Sequence, residues 1–193
     1  MGAGSRRYAL SLSRRSCVLA SPWYCHSTAA LTKVPRVFNR IIGNIPANAV
    51  PGGFEVDGRP LFIARADIFG GLHPGKCGAH LKGATVSYGD LEYHVVDYDV
   101  LVADGNFADH FIWVVCTGEF NPGPSGGTEP EYMIAGYEAG TYGAPRYIIQ
   151  GKHEGGVHPG KAGPGLPCGL IPYGDKEVYC KTYRALKRIF PPA

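Results

Sequence analysis

GGLHPGK occupies residues 70–76, and GGVHPGK occupies residues 155–161. The two heptapeptides differ only at Leu72 and Val157, and their lysines stand 85 positions apart. Extending that offset pairs Pro60 with Pro145, Phe62 with Tyr147 and Ile63 with Ile148. It also pairs Tyr88-Gly89-Asp90 with Tyr173-Gly174-Asp175, Glu92 with Glu177, Tyr98 with Tyr183 and Leu101 with Leu186. No gap is needed from Pro60 to Leu101. Upstream the offset falls to 83, matching Gly53-Phe54-Glu55 to Gly136-Tyr137-Glu138, so the second copy holds two extra residues between Glu138 and Pro145. The chain is an internal duplication, and such a repeat governs every later inference about the fold.

The bulk composition narrows the class. The chain has 193 residues, 45% hydrophobic and 18% charged, which is enough apolar material for a core and too little charge for a disordered polymer. Glycine (28) and proline (16) fall between short apolar runs, the pattern of many short strands. The net charge of +3 is uneven: residues 1–54 carry seven Lys/Arg and no acid, leaving 12 basic and 16 acidic residues, or −4, in the remainder. A mildly acidic repeat body lacks the basic stripe that nucleic-acid binding needs. No apolar run approaches a bilayer span; Phe111 to Cys116 is about the longest.

Residues 1–36 differ from the rest. They are rich in Ser and Arg, and Arg14 and Arg15 interrupt any secretory apolar stretch. A myristoylation signal fails at Arg6. The segment reads as a disordered extension or an upstream stretch, and its composition also fits a mitochondrial transit peptide. The expected organisation is therefore an extension over 1–36, a first repeat over 37–112 and a second over 113–190. The cysteines at 17, 25, 77, 116, 168 and 180 do not follow the duplication and form no CxxC, so free thiols in a reducing, cytoplasmic setting are expected, with neither metal nor cofactor.

Strand signals recur along each copy. Leu61–Arg65 is an aromatic and β-branched run, preceded by Asp57-Gly58, a strong hairpin signal. Ala84–Tyr88 followed by Gly89-Asp90 reads as strand and turn, Tyr93–Leu101 as one longer strand, and Lys181–Phe190 as strand by its match to Tyr98. Glu119–Pro130 reads as an exposed Gly/Pro linker. Strong helix signals are missing. Each unit alone would bury a small core, so two copies are expected to pack about an approximate two-fold axis.

The repeated phrase contains G-x-x-x-x-G-K, but Cys77 and Ala162 stand where a P-loop needs Ser or Thr, and the following glycines discourage the required helix. G-x-S-x-G is absent, and no nucleophile is tied to His73 or His158, which read as loop histidines capping turns. No catalytic residue and no enzymatic activity are therefore expected. Lys76 and Lys161, held by Pro-Gly in what reads as a rigid turn, would each present three donors. Glu55 and Glu138 supply acceptors from the matched Gly-aromatic-Glu triplets. A donor beside an acceptor suits the vicinal hydroxyls of a sugar, and an ordinary structural ion pair would use the same residues.

GNIPANAVPGGFE (43–55), PLFIARA (60–66), PGK (74–76), YGD (88–90) with Glu92 and His94, and YDVL (98–101) together resemble a DM9 repeat. The second copy resembles one from about Trp113 to Leu186, with Gln150 in place of Arg65 and Val178-Tyr179 in place of Tyr93-His94. The resemblance implies an all-β fold of two intertwined repeats forming a pseudo-two-fold, β-sandwich-like globule. Some tandem DM9 proteins are mannose-binding lectins of invertebrate innate immunity, in which the acid after Gly-aromatic and the lysine of Pro-Gly-Lys contact the sugar. By position, that nominates Glu55 with Lys76 and Glu138 with Lys161, and implies glycan partners, with a homodimer left open. The lectins carry Asp where this chain has Glu, so the carboxylate stands about 1.5 Å further out. Other members are described only as intracellular stress-response or vesicle-associated proteins, which implies protein contacts instead of glycans.

Overall fold

The computed structural model describes residues 38–41, 44–103, 105, 107–123, 132–140 and 143–189, so the readings made for residues 1–36 and for most of Glu119–Pro130 lie outside the described residues. The described chain is built of strands: β1 (Phe38–Ile41), β2 (Pro51–Phe54), β3 (Pro60–Ile68), β4 (Gly71–Cys77), β5 (Ala84–Tyr88), β6 (Leu91–Val95), β7 (Tyr98–Leu101), β8 (Phe111–Thr117), β9 (Ile134–Tyr137), β10 (Pro145–His153), β11 (Gly156–Ala162), β12 (Gly169–Tyr173), β13 (Lys176–Cys180) and β14 (Thr182–Arg188), with one 3₁₀ turn at Phe107–Asp109. Strands β3 to β6 recur as β10 to β13 at the offset of 85, and β2 recurs as β9 at 83. The two extra residues lie where the sequence puts them. Glu55 N–H donates to Arg59 O at 2.9 Å in the first hairpin, and Glu138 N–H donates to Ala144 O at 2.9 Å in the longer second one. Gly89-Asp90 and Gly174-Asp175 all adopt positive φ, between 56° and 69°, the backbone of a tight hairpin turn.

All strand pairings are antiparallel and they close on themselves. The circuit β3–β2–β11–β10–β9–β4–β3 takes three strands from each repeat. The copies join through Phe54 against Val157 and Leu72 against Tyr137, which are equivalent positions with the roles of the repeats exchanged. Two hairpins, β5–β6 and β12–β13, meet at Leu91 and Lys176 and are tied by reciprocal bonds from Asp175 N–H to Glu92 Oε2 (2.7 Å) and from Asp90 N–H to Glu177 Oε2 (3.2 Å). The strands β1 and β8 flank β7 and β14 in the same way, Arg40 facing Asp99 and Val115 facing Arg184. One apolar cluster belongs to each repeat. A third, with Val50, Ile63 and Leu101 from the first and Met133, Ile148 and Leu186 from the second, lies between them.

Two expectations change. Tyr93–Leu101 is two strands, because the chain bends at Val96-Asp97 so that β6 pairs with β5 and β7 with β3. More consequential, the repeated heptapeptide is a strand rather than a turn: β4 pairs along its whole length with β3, and β11 does the same with β10. Its glycines let neighbours approach. A Cβ on Gly75 would overlap the Thr85 carbonyl oxygen, and one on Gly160 would overlap that of Leu170. Its proline is tolerated because the outer partner changes there. In β4, Leu72 faces β9 and Lys76 faces β5, with Pro74 between them; in β11, Pro159 sits likewise between the contacts to β2 and β12.

Candidate functional site

Placing HPGK in a central strand buries what a turn would have exposed. His73 is 0% exposed, His158 1%, Lys76 3% and Lys161 2%. The lysines are therefore not presented from an exposed turn, which corrects the sequence expectation, and the histidines are core residues rather than turn caps. Each lysine lies across from the other repeat. Lys76 Nζ is 5.3 Å from the centre of the Tyr173 ring and Lys161 Nζ is 5.3 Å from that of Tyr88, a cation over an aromatic face in both cases. His158 packs edge-on to Tyr173 and His73 edge-on to Tyr88. So each cluster takes its Glu and Lys from one repeat and its His and Tyr from the other.

The two clusters share a plan and differ in how it is completed. In the first, Lys76 Nζ donates to His158 Nδ1 at 3.3 Å. Glu55 reaches His80 Nε2 through Oε1 at 3.3 Å, and its Oε2 stands 3.9 Å from His158 Nδ1. Glu55 and Lys76 make no direct ion pair; His158, supplied by the other repeat, stands between them. Burial pushes the Lys76 ammonium below the ordinary lysine value, and the charges of Glu55 and Glu92 oppose that fall. Burial also takes His158 down to about 4, with the Lys76 charge adding to it, so the imidazole is neutral and its Nδ1 can accept. The other ring nitrogen, Nε2, meets no partner among the described residues.

In the second cluster Lys161 is satisfied from within. Its Nζ donates to the Ser87 carbonyl and forms an ion pair with Glu177 Oε1 at 3.2 Å. Glu138 is taken up by Arg146, through Nη2 at 2.7 Å and Nε at 3.2 Å. Burial pushes the Glu138 carboxyl up, but the hydrogen bonds and charge of Arg146 outweigh it and leave the group below the usual carboxylate value. Lys161 is lowered by burial against the opposing pull of Glu177. His73 falls to about 4 through burial and then the Lys161 charge, and neither of its ring nitrogens has a hydrogen-bond partner among the described residues. The difference between the clusters has a sequence signal: at the offset of 85, Arg146 replaces Leu61 and Gly165 replaces His80.

Other features bound the chemistry. Glu92, His94 and Asp175 bring ligating atoms within 4.8 Å of one another at an exposed corner, the one grouping among the described residues with metal-ligand spacing. The equivalent corner has Tyr179, whose hydroxyl donates to Asp90 at 2.7 Å. Cys77, Cys116, Cys168 and Cys180 are free thiols; burial drives Cys77 up to about 12 and Cys180 to about 11, which suppresses thiolate reactivity. No helix among the described residues is long and apolar enough to cross a membrane.

A search of curated protein sequences gives no significant match. Among solved structures the chain is similar to the nematode sperm cell motility protein MFP2B, with 16% identity and a TM-score of 0.53 over 90% of this chain and 54% of that one. At that identity the likeness shows a shared fold, and this chain spans about half the length of the other. The DM9 repeat profile matches residues 36–95 and 65–180, a range that takes in both heptapeptides, both Glu–Lys sets and every strand from β1 to β13. The chain belongs to the DM9 repeat family.

Proposed function

We propose that this protein is a non-catalytic carbohydrate-binding module of the mannose-binding type, and that the Glu55–Lys76 cluster is its primary site. The observation that carries this is the incomplete pairing of Lys76. Among the described residues its ammonium makes one hydrogen bond, to His158, although it offers three donors. Glu55 is its nearby acceptor, 15% exposed, with Oε2 3.9 Å from His158 Nδ1. Tyr173 supplies a partly buried ring against which a pyranose face can rest. A sugar with adjacent hydroxyls would give a bond to Glu55 from solvent, and would take one from Lys76, 3% exposed, only once the side chains covering that ammonium shift. The Glu138–Lys161 cluster is the weaker candidate, since a sugar there must displace Arg146 and compete with Glu177.

Titration calorimetry with mannose and a mannose trisaccharide tests this. One site per chain is expected, of the millimolar affinity typical of few hydrogen bonds. Glu55→Gln, which keeps the side-chain shape, should weaken binding by about tenfold or more. Lys161→Met should leave the sugar affinity unchanged. The absence of heat across a panel of hexoses, from protein with a native melting curve, would reject the proposal. It would favour the second reading, a protein acting through protein contacts, for which the exposed Phe54, Tyr137 and Val56 near the junctions are the available surface.

A further inference from the structure

The outer faces of the two repeats differ more than the inner ones. In the first repeat that face is filled by the chain itself. Arg65 Nε donates to Asp99 at 3.0 Å while its guanidinium lies 3.9 Å from the centre of the Phe38 ring, and Arg40 pairs with Asp97. The equivalent residues of the second repeat are Gln150 for Arg65, Arg184 for Asp99, Thr182 for Asp97, Lys152 for Asp67 and, across β14, Val115 for Arg40. Every acid of the first face has been replaced, and two of the replacements are cations. The filling network is gone, and a groove of about 300 Å³ stands in its place, lined by Val115, Gln150, Lys152, Val157, Thr182, Tyr183 and Arg184.

That volume is at the lower end of small-molecule sites. The walls Val115 and Val157 are apolar, and Val115 is 63% exposed. Lys152 and Arg184 lie on one face of neighbouring strands, since Gln150 faces Arg184 directly and Lys152 is two residues further along β10. Among the described residues neither cation has an acidic partner within ion-pair distance. Two unpaired cations over an apolar trough fit a ligand with an anionic head and a short apolar body.

We infer that the groove between β8, β14 and β10 binds a small amphipathic anion, its carboxylate or phosphate held by Lys152 and Arg184 and its apolar part lying along Val115 and Val157. The site is separate from the sugar cluster and does not depend on it.

Octanoate and octyl phosphate serve as probes on the full chain, with 1-octanol as the uncharged control, read by calorimetry and amide NMR shifts. Saturable binding of one anion per chain is expected, at least tenfold tighter than octanol and weakened by salt. The two heads show whether carboxylate or phosphate is preferred. Gln150→Arg combined with Arg184→Asp transplants the Arg65–Asp99 pair of the first repeat, closes the groove with the chain's own solution and should abolish binding without lowering the melting temperature. Glu55→Gln should leave it unchanged. Failure of both anions to saturate at millimolar concentration, equal binding of octanol, or binding that survives the transplant would each overturn the inference.

Discussion

Gly53→Ala and Gly136→Ala are expected to be the most damaging single-methyl substitutions in the protein. A Cβ at Gly53 would overlap the carbonyl oxygen of Val157, and one at Gly136 would overlap that of Leu72. These are main-chain atoms of the other repeat, at the two junctions that close the circuit of strands. A flexible side chain could rotate away, but a carbonyl in a central strand cannot move without breaking its own ladder. Neither glycine has positive φ, so the cost is contact and not backbone strain. Overpacking of this kind costs about 3 kcal/mol or more, which for a domain of this size lowers the melting temperature by roughly 10 °C. Gly58→Ala is the comparison. It has φ +86° and open space around its Cβ, so its cost is the left-handed backbone alone, about 1 kcal/mol. Thermal melts of the three variants test this. Losses at Gly53 and Gly136 no greater than at Gly58 would mean that the repeats are not interlocked as described.

Acid is expected to destabilise the chain well above the pH at which carboxylates are titrated. His73 and His158 are buried neutral, with values near 4 against 6.5 for a free imidazole. Between those values the unfolded chain binds protons that the folded chain refuses. Stability therefore rises with pH across this window, is complete above about 6.5, and is lost as pH falls toward 4. The shift corresponds to about 3 kcal/mol for each histidine at the acid end. Protonation of His158 in the folded chain would also remove the acceptor for Lys76 and set a second cation beside it, so sugar affinity should hold through this window and fall only as pH approaches about 4. Chemical denaturation from pH 7.5 to 4.5 reads the first effect, and His73→Gln and His158→Gln should each flatten the curve. A midpoint that stays level over that range would contradict the buried neutral histidines.

The duplication and its strands were legible because both rest on local pattern. Apolar and β-branched runs mark β3 and β5, Asp57-Gly58 marks the hairpin, and the 85-residue echo carries the same readings to β10, β12 and β13. What escaped local reading was the heptapeptide. Gly and Pro ordinarily signal turns, and only the strand pairings explain them: Gly75 admits the Thr85 carbonyl, and Pro74 falls where the outer partner changes. Once GGLHPGK is a central strand, the burial of His73 and Lys76 follows. The sequence match also paired Glu55 with Lys76 directly, whereas the exchange of strands inserts His158 between them. The inequality of the two clusters was visible all along in Leu61 against Arg146, but its meaning required knowing that Arg146 reaches Glu138.

Crystals grown with methyl mannoside offer the most direct test of the sugar assignment. The expected result is one pyranose per chain, with vicinal hydroxyls between the Glu55 carboxylate and the Lys76 ammonium and its ring against Tyr173. A sugar bound only at Glu138 and Lys161 or on the outer groove, or a Lys76 still sealed beneath unmoved side chains at saturating sugar, would contradict it.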